Sequence, residues 1–268
     1  MRHTGYVHAA PTVLERVGSA ARGRRVPEGF RPLLHPALRE QWGQVWDQGV
    51  NACTGFALTK LVSVMHACRM PGASAPPALS AFSVYTAARR RRTKNITDTG
   101  AATRDAVWAW NRVGACTERL WPSWSLDKPL QRRHVNDYPS GMRRAEVLTS
   151  ARYWRHELAI RCRPIIDRPS RIPERIAHSL DKLQGVLVAI PISDDFDRGT
   201  GVIQMQPPTR GWHLVAVIDW RSRDGAIEFL IANSWGEDWG EGGFRWASRG
   251  FIAQSRATFY VELQREAS

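Results

Sequence analysis

The chain has 268 residues, 43% hydrophobic and 24% charged, the balance of a soluble globular protein long enough to bury a core. That excludes wholesale disorder, a collagen-like repeat and a disulfide mini-protein, and no apolar run approaches the roughly 18 residues of a membrane-spanning helix. Lys plus Arg is 38 against 25 Asp plus Glu, a formal net charge of +13, and all but four of the basic residues are Arg. Such a surplus can mark a binder of nucleic acid or of an acidic surface. The Arg residues are scattered and no nucleic-acid-binding motif accompanies them. Nucleic-acid binding is therefore the lesser reading, and an acidic or polyanion-bound substrate the milder expectation.

Residues 1–40 are basic and Pro-punctuated (Arg24, Arg25, Pro27, Pro32, Pro36) and read as an arm on a body of residues 41–268. The first 25 residues lack the roughly 7–15-residue apolar core of a secretory signal, so a cytoplasmic location is the default, with export by a signal-independent route the alternative and no membrane partner expected. Cysteines at 53, 68, 116 and 162 form no CxxC pair. Neither a zinc site nor a disulfide framework is expected, and free thiols in a reducing compartment are.

From Cys53 to Cys68 the chain is apolar on nearly every side, the mark of a buried helix. Ser80–Arg92 predicts a helix whose basic end, Arg89–Arg92, is a solvated terminus complementing the helix dipole. Ala102–Val113 predicts another, closed by Gly114. The stretch 115–150, with Pro122, Pro129, Pro139 and Gly141, reads as irregular. A further helix follows over Pro173–Leu183. After Gly185 the character changes: 186–192, 213–220, 226–232 and 257–263 are rich in β-branched and aromatic residues and predict strands. Helices first and antiparallel strands second argue an α+β fold, with a helical part over about 41–183 and a β part over about 184–268. Asp194, Asp195 and Asp197 lack the spacing of a calcium loop and read as a solvated turn, so no metal is expected.

Three pieces carry chemistry. Cys53 stands at the first turn of the buried helix, where unpaired N–H groups and the dipole favour thiolate over thiol. His213 begins a strand. Asn233 ends the next, ahead of the Gly-rich run to Phe244. The hairpin around Arg223-Asp224-Gly225 links the last two. A three-residue loop with Gly225 left-handed sets Trp235 opposite His213 and makes Asn233 its diagonal neighbour on the same face. A two-residue loop puts them on opposite faces. His66, on the Cys53 helix, lies about 20 Å along the axis, too far to be its base.

A cysteine nucleophile, a histidine base and an orienting asparagine form a triad. With Gln48-Gly49 before Cys53, His213 followed by an apolar strand, and Asn-Ser-Trp-Gly from Asn233 continuing to Phe244, the chain resembles the papain-like cysteine peptidases, in particular the bacterial members with little prodomain. Asp98, Gly100, Asp105, Ala106, Gly114, Cys116, Glu118 and Trp121 resemble the middle segment of that family. The resemblance implies a helical lobe and an antiparallel β lobe with a cleft between them, no cofactor and a peptide or protein substrate. It implies Cys53 as nucleophile, His213 as general base and then acid, and Asn233 as the acceptor that fixes the imidazole. Trp235 would shield that bond, and Gln48 with the Cys53 backbone N–H would form the oxyanion hole. Other acyl transfer on the same triad (a deamidase, a transglutaminase or a cell-wall peptide hydrolase) and a catalytically dead binding module are the alternatives.

The chain departs from the family pattern at several points. Gln48 precedes Cys53 by five residues, one fewer than usual, with Gln44 and Asn51 as fallback donors. Thr54 replaces the usual Trp, Gly55 weakens the first helical turn, and Trp212 precedes His213 where Gly is common.

Overall fold

The computed structural model describes residue 42 and residues 45–69, 77–93, 98–123, 141–182 and 184–264. The basic arm 1–40, Gln44 and His134 lie outside the described residues. Among the described residues, four helices precede the strands: α1 (Cys53–Arg69), α2 (Ala81–Arg90), α3 (Thr103–Arg112) and α4 (Gly141–Glu157). Then follow β1 (Ile160–Pro164), α5 (Ile172–Asp181), β2 (Gly185–Ile192), the short α6 (Asp194–Arg198), β3 (Arg210–Arg223), β4 (Ala226–Ala232), β5 (Phe244–Ser248), α7 (Arg249–Ala253) and β6 (Ala257–Leu263). The six strands form one sheet in the order β1-β6-β2-β3-β4-β5, antiparallel throughout. The fold is α+β, as the sequence predicts.

Each face of the sheet carries its own core, because strand residues alternate sides. On one face Leu187, Ala189, Leu214, Ala216 and Leu230 pack with α1, α2 and α3. On the other Val186, Val188, Ile190, Val215, Val217 and Ile231 pack with α5, Phe196 and α7. β2 is buried along its whole length, which is why 186–192 shows no polar alternation.

One element departs from the sequence reading and a second adds to it. The stretch 115–150 contains the start of α4, a 17-residue helix opening at Gly141. Its Arg-rich sequence carries no broad apolar stripe, so periodicity alone does not announce it. The basic end of α2 is exposed at Arg90, Arg91 and Arg92, as expected, and it also makes specific pairs that the sequence does not show. Arg91 (2.8 Å) and Arg92 both pair with the buried Asp105, and Arg89 donates to Gly100 O at 2.9 Å. Two cations converge on one buried carboxylate, which desolvation would otherwise penalise.

Candidate active site

Cys53 opens α1 and is fully buried. The turn before it is tight: Gly55 and Phe56 both donate to Ala52 O, at 2.9 and 3.1 Å. Gly55 has a packing reason. A Cβ there would sit 2.3 Å from Ala81 O, so α1 and α2 approach closely only because residue 55 has no side chain. Ahead of the cysteine, Asn51 is pinned to Asp98. Its backbone N–H is shared by the two carboxylate oxygens at 3.0 and 3.2 Å, and its amide donates to Asp98 O at 2.8 Å. Tyr85 donates its hydroxyl to the same carboxylate at 3.0 Å and accepts from Gly100 N–H at 2.9 Å. Asn51 is therefore a brace for the loop ahead of the cysteine.

Burial pushes the Cys53 thiol up to about 12, against hydrogen bonds from the Leu214 and Thr54 backbone N–H groups that pull it down, while the nearby Asp98 charge raises it further. The helix N-terminus acts in the direction the sequence predicts, but burial outweighs it. The Leu214 N–H at the sulfur also locates the site. Leu214 follows His213 directly, so the nucleophile candidate lies against the start of β3.

His213 is fully buried. Its Nε2 is 2.7 Å from Asn233 Oδ1, and Asn233 Oδ1 also accepts from Ser234 N–H at 2.8 Å. The second bond fixes the first. A backbone N–H needs an oxygen, so the Asn233 amide cannot be flipped, and Nε2 must donate. The neutral imidazole then carries its proton on Nε2 and its lone pair on Nδ1.

The hairpin reaches this geometry by a different route from the expected three-residue loop. Its loop has two residues, Asp224 (φ 52°) and Gly225 (φ 76°), between the paired Arg223 and Ala226. Both left-handed residues match the tight turn that Asp-Gly favours. The register then shifts: Asp219 pairs with Leu230, but Val217 pairs with Ile231. Ile218 is the extra residue of a β-bulge. Beyond it the pairing is the one a three-residue loop would have given, and His213 and Asn233 share a face.

An aromatic wall backs the imidazole. Trp235 lies over it with ring centroids 4.6 Å apart, and Phe196 stands 6.1 Å from the imidazole and 5.2 Å from Trp235. Phe196 is held from several sides. Ser193 Oγ accepts its N–H at 3.2 Å, and Trp239 Nε1 donates to its carbonyl at 2.9 Å. The buried Arg245 donates to Asp195 O at 2.6 Å. Arg210 pairs with Asp197. Asp195 and Asp197 thus anchor the short helix α6 that carries Phe196, which corrects the reading of a solvated turn. Among the described residues no cluster suited to a metal ion occurs.

Gln48 is joined to the other side of the site. Residue 47 bridges residue 235, Gln48 N–H donates to Ser234 O at 2.9 Å and Gly236 N–H to Trp46 O at 3.2 Å. Ser234 Oγ donates to Gln48 Oε1 at 2.6 Å, and Gln48 Nε2 donates to Val50 O at 3.1 Å. The shortened spacing to Cys53 is thus accommodated by tying Gln48 to the Asn-Ser-Trp segment. Ser234 is the residue that sequence reasoning passed over, since its partner lies 186 positions away.

Lys60 lies behind this bridge, in a recess lined by Trp42, Trp46, Phe56, Leu214 and Ser234. Its ammonium sits 5.3 Å from the Trp46 ring centroid, and burial lowers its pKa to about 8. A lysine whose pKa is lower in the folded than in the unfolded chain penalises folding wherever it is charged. The penalty is full below about 8 and fades as pH rises toward 10.5. Lys60→Met is therefore expected to raise the thermal midpoint at pH 7 by roughly 2–4 °C, with the gain over wild type shrinking between pH 8 and 10. Calorimetry across that range checks it.

The thiol at a helix head, the imidazole–amide pair and the two-faced sheet define a cysteine protease fold. The family model for papain family cysteine proteases matches residues 114–260, more than half of the chain, and the chain belongs to that family. The match takes in His213 and Asn233 and begins after Cys53. Xylellain, a cysteine protease from Xylella fastidiosa, is similar over 98% of this chain and 97% of its own, at 19% identity and a TM-score of 0.74. Procathepsin B S9 from Trypanosoma congolense is 14% identical over 98% of this chain and 87% of its own, TM-score 0.66. The bromelain protease from Ananas comosus, solved with the E64 inhibitor, is 18% identical over 89% of this chain and all of its own, TM-score 0.58. No curated protein matches the sequence. No helix among the described residues is long and apolar enough to cross a membrane, and all four cysteines are free thiols.

Proposed function

We propose that the chain is a cysteine peptidase that cuts peptide bonds through Cys53, His213 and Asn233. The observation that carries this is the hydrogen-bonded His213–Asn233 pair with the Cys53 sulfur against the next backbone N–H. An isolated thiol buried as Cys53 is stays protonated at neutral pH and is a poor nucleophile. Passing its proton to His213 Nδ1 creates a thiolate and an imidazolium that stabilise one another, with Asn233 Oδ1 holding the imidazolium through Nε2. The thiolate attacks the peptide carbonyl. Its oxygen gains charge and is met by the Cys53 N–H and the Gln48 amide, whose own oxygen Ser234 anchors. The tetrahedral adduct collapses as His213 protonates the leaving amine. Water, deprotonated by His213, then hydrolyses the thioester and returns the thiol.

Alkylation by iodoacetamide tests the pairing without any substrate. Wild-type Cys53 is expected to react at pH 6–8 at least about tenfold faster than Cys116, whose buried thiol is likewise pushed up to about 12. In His213→Ala that advantage disappears and Cys53 reacts only at alkaline pH. Equal rates at Cys53 and Cys116 in the wild type would defeat the proposal.

A further inference from the structure

We propose that Arg256, stacked on Trp212 beside His213, makes the site select peptide segments that carry an acidic side chain within about two residues of the bond to be cut. This rests on the peptidase reading and specifies its substrate class. The +13 carried by the whole chain acts at long range and favours no position. The strand that holds His213 supplies one. Side chains alternate along β3: His213 turns to Phe196 and Trp235, while Leu214 packs in the same core as Cys53 and α1, on the other face. Trp212, two residues before Leu214, shares that face. The register widens it, since Pro191 of β2 pairs with Trp212, and Ala189 pairs with both Leu214 and Ala257 of β6.

This face is closed at Leu214 and Ala216, which are buried, and comes to the surface past the head of α1: Trp212 and Ala257 are half-buried and Arg256 is exposed. Trp212 lies about 7 Å along β3 from Leu214, the span of two residues in an extended peptide. A substrate whose scissile carbonyl is held between Cys53 and His213 therefore lays a neighbouring side chain against Trp212. There it meets Arg256, whose guanidinium carbon is 4.2 Å from the Trp212 ring centroid. An indole face orients a guanidinium without neutralising it, and a stacked guanidinium keeps its N–H edge for a carboxylate. Among the described residues Arg256 has no ion-pair partner, whereas Arg210, the other cation at the start of β3, is paired with Asp197. A Glu or Asp side chain on this strip completes a charge-assisted pair. Gln or Asn gains only a neutral contact, and Lys or Arg is repelled.

The experiment digests a mixed peptide library with the full chain and reads the residues flanking each cut by mass spectrometry. The wild type is expected to show Asp and Glu enriched at least about fivefold over Asn and Gln at a position within about two residues of the cut, with the enrichment falling as salt rises. Arg256→Gln should bring it to within about twofold, and Arg256→Glu should turn the preference to Lys and Arg at the same position. These ratios are taken within one digest, so a slower variant is still read. The same library is captured on immobilised full chain carrying Cys53→Ala, with and without Arg256→Gln, where no turnover is needed. Cuts without acidic enrichment in the wild type overturn the proposal. So does an enrichment that Arg256→Glu leaves unchanged in a chain that retains its near-ultraviolet circular dichroism. Arg256-dependent capture of acidic peptides without cleavage by the wild type would uphold Arg256 and count against the peptidase reading instead. Neither cleavage nor Arg256-dependent capture overturns the proposal as well.

Discussion

Replacing Cys53 with Ala is expected to lower peptide cleavage by at least about 10⁴-fold, to the level that binding and the oxyanion site alone supply. The covalent step needs a nucleophile at that atom. No other thiol can substitute: Cys116 is buried elsewhere in the helical core, and Cys68 and Cys162 lie at its margin. The fold should persist, because the change removes one sulfur from a fully buried position and leaves the backbone bonds at the head of α1 in place. Cleavage of a mixed peptide library, followed by mass spectrometry beside circular dichroism, reads both parts. Cleavage by the variant within tenfold of wild type would place the nucleophile elsewhere.

Asn233→Ala has the second largest expected effect and should act on both activity and stability. Asn233 Oδ1 accepts two hydrogen bonds, one from His213 and one from Ser234 N–H. Removing it leaves two buried donors unsatisfied, each costing about 1–3 kcal/mol, so the thermal midpoint should fall by several degrees. The imidazole also loses the contact that fixes its tautomer. An orienting residue that leaves His in the wrong tautomer costs up to about 10⁴ in turnover in the serine-protease precedent, and about 10²-fold is the minimum expected here. A kcat loss without a matching rise in KM identifies misorientation of His213; a KM effect alone would argue against the assigned role.

The sequence is most legible where one physical signal suffices. The four strands over 186–192, 213–220, 226–232 and 257–263 are long, apolar and β-branched, and the structure has them within a few residues at each end, β3 extending furthest. The short strands β1 and β5 escape because IRCRP and FRWAS carry Arg, Pro and Ser in place of an apolar run. Asn233 is found on the face of His213, yet the compensating feature at Ile218 leaves no trace in composition, since a bulge is a property of pairing. Arg245, buried under Trp239 and bonded to α6 at Asp195, looks on paper like any other surface cation. Contacts made by groups far apart in the chain, such as Gln48 with Ser234, belong to the tertiary fold and to no local pattern.

The join between residues 46–48 and 234–236 ties the strip ahead of Cys53 to the strip behind His213. This stitch is made of backbone bonds, so the spacing of the two strips along it is set when the chain folds. If the chain is the peptidase proposed above, a segment that can enter as a single extended strand is the substrate such a fixed edge favours over a tightly folded domain.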